Sequence, residues 1–166
     1  MLIFVSHCAI STNRTPHQVG EKIKMMEYEI SEMKIEDYDE AMALWQSAEG
    51  IGLRESDNRK DMESFLERNP RMSLVARKDQ KIIGTLLCGH DGRRGYLYHL
   101  SVAPPQRLRK IGKALVEKCL SQLHAEGIQK CHVFTLKNNK EGHQFWKIIG
   151  WKDRLDIQVM SKEIMK

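Results

Sequence analysis

Residues 100–115 read LSVAPPQRLRKIGKAL, and the fold depends on how this stretch divides. A strand ends at Val102, Pro104-Pro105 stops it because proline cannot donate to a ladder, and a helix opens near Arg109 to Ile111. Arg107, Arg109, Lys110 and Lys113 crowd that helix start. Cations are unfavourable there, because a helix N-terminus already carries partial positive charge and unpaired N–H groups. A chain that gathers basic residues at that end is suited to hold an anion. First-turn N–H groups and flanking guanidinium groups bind a pyrophosphate well. Gly112 lets the backbone approach such a ligand closely. The plain alternative is a solvated basic helix face, the usual meaning of a charge run.

The pattern on either side is that of an α/β domain. Residues 28–30 alternate as a strand, and residues 36–48 place Tyr38, Ala41, Met42, Leu44, Trp45 and Ala48 mostly on one helical stripe. Residues 49–56 hold two glycines and read as loop. Asp57 or Asn58 caps a second helix whose buried face is Met62, Phe65 and Leu66, with Pro70 at its exit. Residues 73–77 and 82–88 form a hairpin about Lys78-Asp79-Gln80-Lys81, and Asp91-Gly92 turns the chain into a strand over 96–102. Apolar residues at 111, 115, 116, 119, 120 and 123 mark a helix closed by Gly127. A strand over 131–136, a helix over 139–149, and one or two strands within 151–164 complete the chain. This order implies a mixed sheet flanked by helices.

The 166 residues suit one domain, with 41% hydrophobic and 30% charged residues. The net charge of +5 favours an anionic ligand without separating a nucleotide cofactor from nucleic acid. Cys8, Cys88, Cys119 and Cys131 form no CxxC pair and no zinc spacing with histidine, so we expect no metal and read them as buried thiols in a reducing cytoplasm. Residues 1–10 are apolar but too short for a membrane span and lack a signal peptide's basic leader. Residues 1–24 are expected to be an extension outside the fold, and residues 25–166 the domain.

Arg107-x-x-Lys110-x-Gly112 resembles the pyrophosphate loop, Q/R-x-x-G-x-G/A, of the GNAT superfamily of N-acetyltransferases. Asn139, Phe145-Trp146 and Gly150-Trp151 are similar to that family's N-x-x-A-x-x-x-Y-x-x-x-G-F pattern, and residues 90–100 resemble a prokaryotic single-domain subgroup of undefined substrate. The resemblance covers roughly residues 26–164 and implies the GNAT fold with acetyl-coenzyme A as co-substrate. It also implies transfer of the acetyl group to a primary amine by direct attack in a ternary complex. Two positions depart from the family pattern: Lys110 replaces the first loop glycine, and Trp146 replaces the tyrosine that often protonates the leaving thiolate.

The resemblance assigns cofactor binding to Leu100, Ser101 and Val102 along the pantetheine arm. Arg107, Leu108, Arg109, Lys110, Ile111, Gly112 and Lys113 fall at the pyrophosphate, with Asn139 and Trp146 beyond. It places base residues at Tyr96 and Tyr98, although an unperturbed tyrosine near pKa ~10 is a poor base. His99 has the better intrinsic pKa, but strand alternation puts it with Leu97 and Ser101, away from the tyrosines, unless a bulge intervenes. Each of the three also has a plain packing role open to it. Acceptor specificity is expected in the loop 49–57 and the turn 90–95. The acceptor is a small-molecule or peptide amine, and homodimers are common in the family. Two rival readings are a coenzyme A-binding sensor without catalysis and a basic nucleic-acid-binding module. The latter is opposed by dispersed basic residues and the lack of a recognition motif. We expect no nucleic-acid or membrane partner.

Overall fold

The computed structural model describes residues 28–164. The expected extension over 1–24 and Cys8 lie outside the described residues. The elements run β1 (Glu29–Glu32), α1 (Tyr38–Ser47), α2 (Arg59–Arg68), β2 (Leu74–Lys78), β3 (Lys81–His90), β4 (Gly95–Val102), α3 (Ile111–Ala125), β5 (Cys131–Val133) and α4 (Lys140–Ile148). Short 3-10 turns at Ile35–Asp37 and Glu55–Asp57 lead into α1 and α2. The five strands lie in chain order, antiparallel except for the parallel pair β4–β5.

Local chemistry fixes the hairpins. Asp79 and Gln80 both have positive φ (50° and 64°), the backbone that a two-residue turn needs to follow strand twist. The Asp91 carboxylate accepts from the N–H groups of Arg93 and Arg94 at 2.8 and 2.7 Å and so closes the next turn. Asn58, not Asp57, caps α2 by accepting from Asp61 N at 3.0 Å. That leaves the Asp57 side chain available for other partners.

Alternation along the strands builds a core on each face of the sheet. Leu74, Ala76, Leu86 and Leu97 pack with Leu115, Cys119 and Trp146 on the α3 side. Val75 and Leu87 pack with Ala41, Trp45 and Met62 on the α1–α2 side. Residues 82–89 of β3 are buried without a break because both faces are covered.

Two expectations fail near the C-terminus. β5 ends at Val133 rather than Leu136, and no strand forms within residues 151–164. Period-two apolar spacing makes a strand only where a neighbouring edge accepts its ladder. A cleft of about 1120 Å³ separates β5 from Ile157 and Val159, and Leu155 and Met160 are almost fully exposed (95% and 89%).

Candidate active site

The site grows from an irregularity in β4. Thr85 pairs with Ser101 and Leu87 with Tyr98, so His99 and Leu100 together oppose Leu86 alone. This is a bulge, and His99 carries its left-handed backbone at φ 50°. The extra residue breaks the alternation and turns His99 onto the α1–α2 side, where Tyr98 already meets Phe65. The His99 ring lies 4.9 Å from the Trp45 ring, edge to face.

Buried polar groups hold the bulge. The Thr85 hydroxyl donates to the His99 carbonyl at 3.1 Å and accepts from Trp45 Nε1 at 2.8 Å. Thr85 and Trp45 are both buried, so neither group has water as an alternative partner.

His99 Nε2 lies 2.7 Å from Asp57 Oδ1. The other oxygen, Oδ2, accepts from Arg54 N at 2.7 Å, and the Tyr38 hydroxyl donates to the Asp57 carbonyl at 2.9 Å. An ionised carboxylate only accepts, so Nε2 is the donor and Nδ1 of the neutral ring keeps the lone pair. Asp57 thus orients the His99 ring. Of the tyrosines, Tyr98 lines the same cleft, and burial pushes its phenol above the ordinary tyrosine range. That makes it a worse base still. Tyr96 sits two residues back and stacks with Phe134 at 6.3 Å.

β4 and β5 pair only as far as Leu97 and Val133, then part. The resulting cleft, about 430 Å³, is lined by Leu97–Leu100, Val133–Leu136, the loop after α1, Asn139 and Trp146. Diverging strands expose main-chain groups that an amide-bearing arm pairs with as an added strand. Leu100 lines this wedge. Ser101 is buried with its Oγ unpaired among the described residues, and the Val102 carbonyl accepts from Arg107 Nε at 3.3 Å.

The basic loop ends at α3. Leu108 and Lys110 take positive φ (63° and 64°), an uncommon state for non-glycine residues, and Leu108 is fully exposed. Arg107 Nη1 lies 3.8 Å from Glu141, and Lys113 3.5 Å from Glu117. Arg109 stands between Leu108 and Lys110 in this loop, and Ile111 and Gly112 are buried in the first turn. A Cβ on Gly112 would sit 3.4 Å from Phe145 Cζ, ordinary van der Waals contact. The protein's own packing therefore does not demand glycine there, whereas a diphosphate lying on the first-turn N–H groups does. The residues fit that group.

Asn139 accepts from Gly142 N at 2.8 Å, capping α4, and a Cβ on Gly50 would lie 2.2 Å from its side-chain nitrogen. The loop after α1 thus docks directly on the α4 cap. Trp146 is buried against Trp151 at 4.9 Å and walls the cleft. Asp57 as partner of His99, and Thr85 and Trp45 as holders of the bulge, escape sequence reading. The histidine and the aspartate are 42 residues apart, and no local pattern joins them.

Among the described residues no group of His, Cys, Asp or Glu side chains is arranged to hold a metal, and no helix is long and apolar enough to cross a membrane.

An acetyltransferase of Yersinia pestis (strain Pestoides F) is 30% identical over 133 residues, covering 80% of this chain and 89% of the relative. Two solved structures share the fold. The PaiA N-acetyltransferase of Thermoplasma acidophilum, in complex with coenzyme A, has TM-score 0.69 and 22% identity, over 76% of this chain and 91% of that one. The aminoglycoside 6'-N-acetyltransferase AAC(6')-IG of Acinetobacter haemolyticus has TM-score 0.65 and 16% identity, over 82% and 99%. The model of the Acetyltransferase (GNAT) family matches residues 36–151, a span that holds the bulge, the wedge between β4 and β5, and the basic loop before α3. The chain belongs to the GNAT family and is an acetyltransferase.

Proposed function

We propose that this enzyme moves an acetyl group from acetyl-coenzyme A to a primary amine by direct attack, both substrates being bound together. The observation that carries the reading is the His99–Asp57 pair, set by the β4 bulge at the wedge between β4 and β5. Acetyl-coenzyme A supplies an activated thioester carbonyl. The first turn of α3, with Arg107, Leu108, Arg109, Lys110 and Lys113 around it, holds the diphosphate. Leu100, Ser101 and Val102 hold the pantetheine arm, and Asn139 and Trp146 wall its far side.

His99 Nδ1 takes the proton that the amine sheds as its nitrogen bonds to the carbonyl carbon and the carbon–sulfur bond breaks. Asp57 stabilises the imidazolium that results. The Leu100 N–H at the bulge is a fixed dipole for the oxygen that gains charge. Trp146 indole has no useful acidity, so the departing sulfur takes its proton from water or from the proton the amine gave up. Direct transfer is favoured over a covalent acyl-enzyme. Burial pushes the Cys131 thiol up to about 12, and the hydrogen bond with Cys88, then burial, raises Cys119 further, so neither provides a thiolate. We place the reaction in the cytoplasm, where free thiols such as these persist.

The test is His99→Gln, which keeps a polar side chain and removes the base. Thiol release with an acceptor amine should fall about 100-fold or more, and calorimetric affinity for coenzyme A should hold. Undiminished turnover would mean that His99 is not the base.

A further inference from the structure

The cleft around His99 has chemistry that selects among amines. Two charged side chains line it, Arg54 and Asp57. The Asp57 carboxylate is already engaged at both oxygens, by His99 and by Arg54 N. The Arg54 guanidinium makes no hydrogen bond or ion pair among the described residues. Among the described residues the one uncommitted charge of the lining is therefore positive. A polycationic acceptor finds no free carboxylate there and meets a like charge, whereas a carboxylate finds a planar two-pronged donor.

The outer wall is aromatic. Tyr98 and Phe134 stack at 6.4 Å, and Tyr96 continues the row in near-parallel alignment with Phe134, 10° apart. Phe134 is 54% exposed and Tyr98 36%, so both rings leave apolar area in reach of solvent. These half-exposed rings beside His99 give a flat apolar group a surface to pack on.

These features lie close together. Arg54 N bonds Asp57 at 2.7 Å, Asp57 bonds His99 at 2.7 Å, and Tyr98 precedes His99 on β4. We infer that the acceptor is an aromatic α-amino acid: its amine at His99, its carboxylate on Arg54, its ring on the Tyr98–Phe134 wall. The assignment rests on the acetyl-transfer reading above. The bonds made and broken are those given there, with the amino acid's nitrogen as nucleophile.

The experiment measures thiol release from acetyl-coenzyme A by the full chain with L-phenylalanine, L-phenylalaninamide, phenethylamine, L-alanine and spermidine. L-Phenylalanine should exceed each of the others in kcat/KM by about tenfold or more, the scale of one lost charge-assisted bond or one lost ring contact. Arg54→Gln keeps the main-chain N–H to Asp57, and the ratio of L-phenylalanine to its amide should fall to about one. Phe134→Ala should shrink the ratio of L-phenylalanine to L-alanine several-fold, with coenzyme A affinity from calorimetry as the control on folding. A preference for spermidine or for the carboxylate-free amines overturns the assignment and leaves acetyl transfer standing. So does an L-phenylalanine to amide ratio that survives Arg54→Gln. Thiol release with none of the five, while coenzyme A still binds, likewise overturns the assignment and leaves acetyl transfer to a different amine standing.

Discussion

Lys110 holds φ 64° at the entrance to α3, where the family pattern has glycine. The left-handed state costs a residue with a Cβ about 1–2 kcal/mol, while glycine adopts it freely and loses some of that gain through its more flexible unfolded chain. Lys110→Gly should therefore stabilise the protein by up to about 1 kcal/mol, about 2–4 °C in Tm for a chain of this size. Its effect on the cofactor site is the sharper readout. The substitution relieves backbone strain and removes a charge, so coenzyme A affinity should hold or improve. A fall of about tenfold or more would show that the Lys110 ammonium contributes more to holding the diphosphate than its left-handed backbone costs, which calorimetry on the two proteins decides.

The decisive element is β4, and its decisive feature is the bulge. Without it His99 would face α3 together with Leu97; with it, His99 shares a cleft with Tyr98 and Asp57. Thr85 on the neighbouring strand keeps the bulge in place through its two hydroxyl bonds. Thr85→Val is nearly isosteric but leaves the buried Trp45 Nε1–H without its partner and removes the hydrogen bond to the His99 carbonyl. The expected loss is about 1–3 kcal/mol of stability in denaturant unfolding. Turnover should fall further than folding explains, because His99 loses its fixed position, while coenzyme A affinity holds. Thr85→Ser, which restores the hydroxyl, should recover most of both. A Thr85→Val enzyme with full kcat would show that the bulge stands without the threonine.

Across the whole molecule, order follows how well each segment is covered. β3 is buried on both faces and paired along both edges, whereas residues 155–160 leave their apolar side chains largely in solvent. Amide hydrogen exchange should show this contrast: β3 exchanging only through global opening, residues 155–160 at rates close to those of an unstructured chain. Protection over 155–160 comparable to that of β3 would mean that a ladder forms there in solution.

Sequence by itself determined the order of elements as far as α4, the apolar faces of the first three helices, the hairpin turns and the basic loop before α3. Those depend on period, turn residues and charge placement within a few positions of one another. The loop motif and the helix after β5 likewise carried the family resemblance, because their residues are close in the chain. Sequence overreached at the C-terminus, where the alternation of Leu155, Ile157 and Val159 reads as a strand but meets no edge to pair with. It could not choose among Tyr96, Tyr98 and His99 or say which face His99 takes, since a bulge is a relation between strands and is invisible in one of them. The tertiary structure decided where His99 points, by setting Thr85 beneath the His99 carbonyl, Trp45 against the ring and Asp57 on Nε2, partners contributed by three separate segments and joined only by folding.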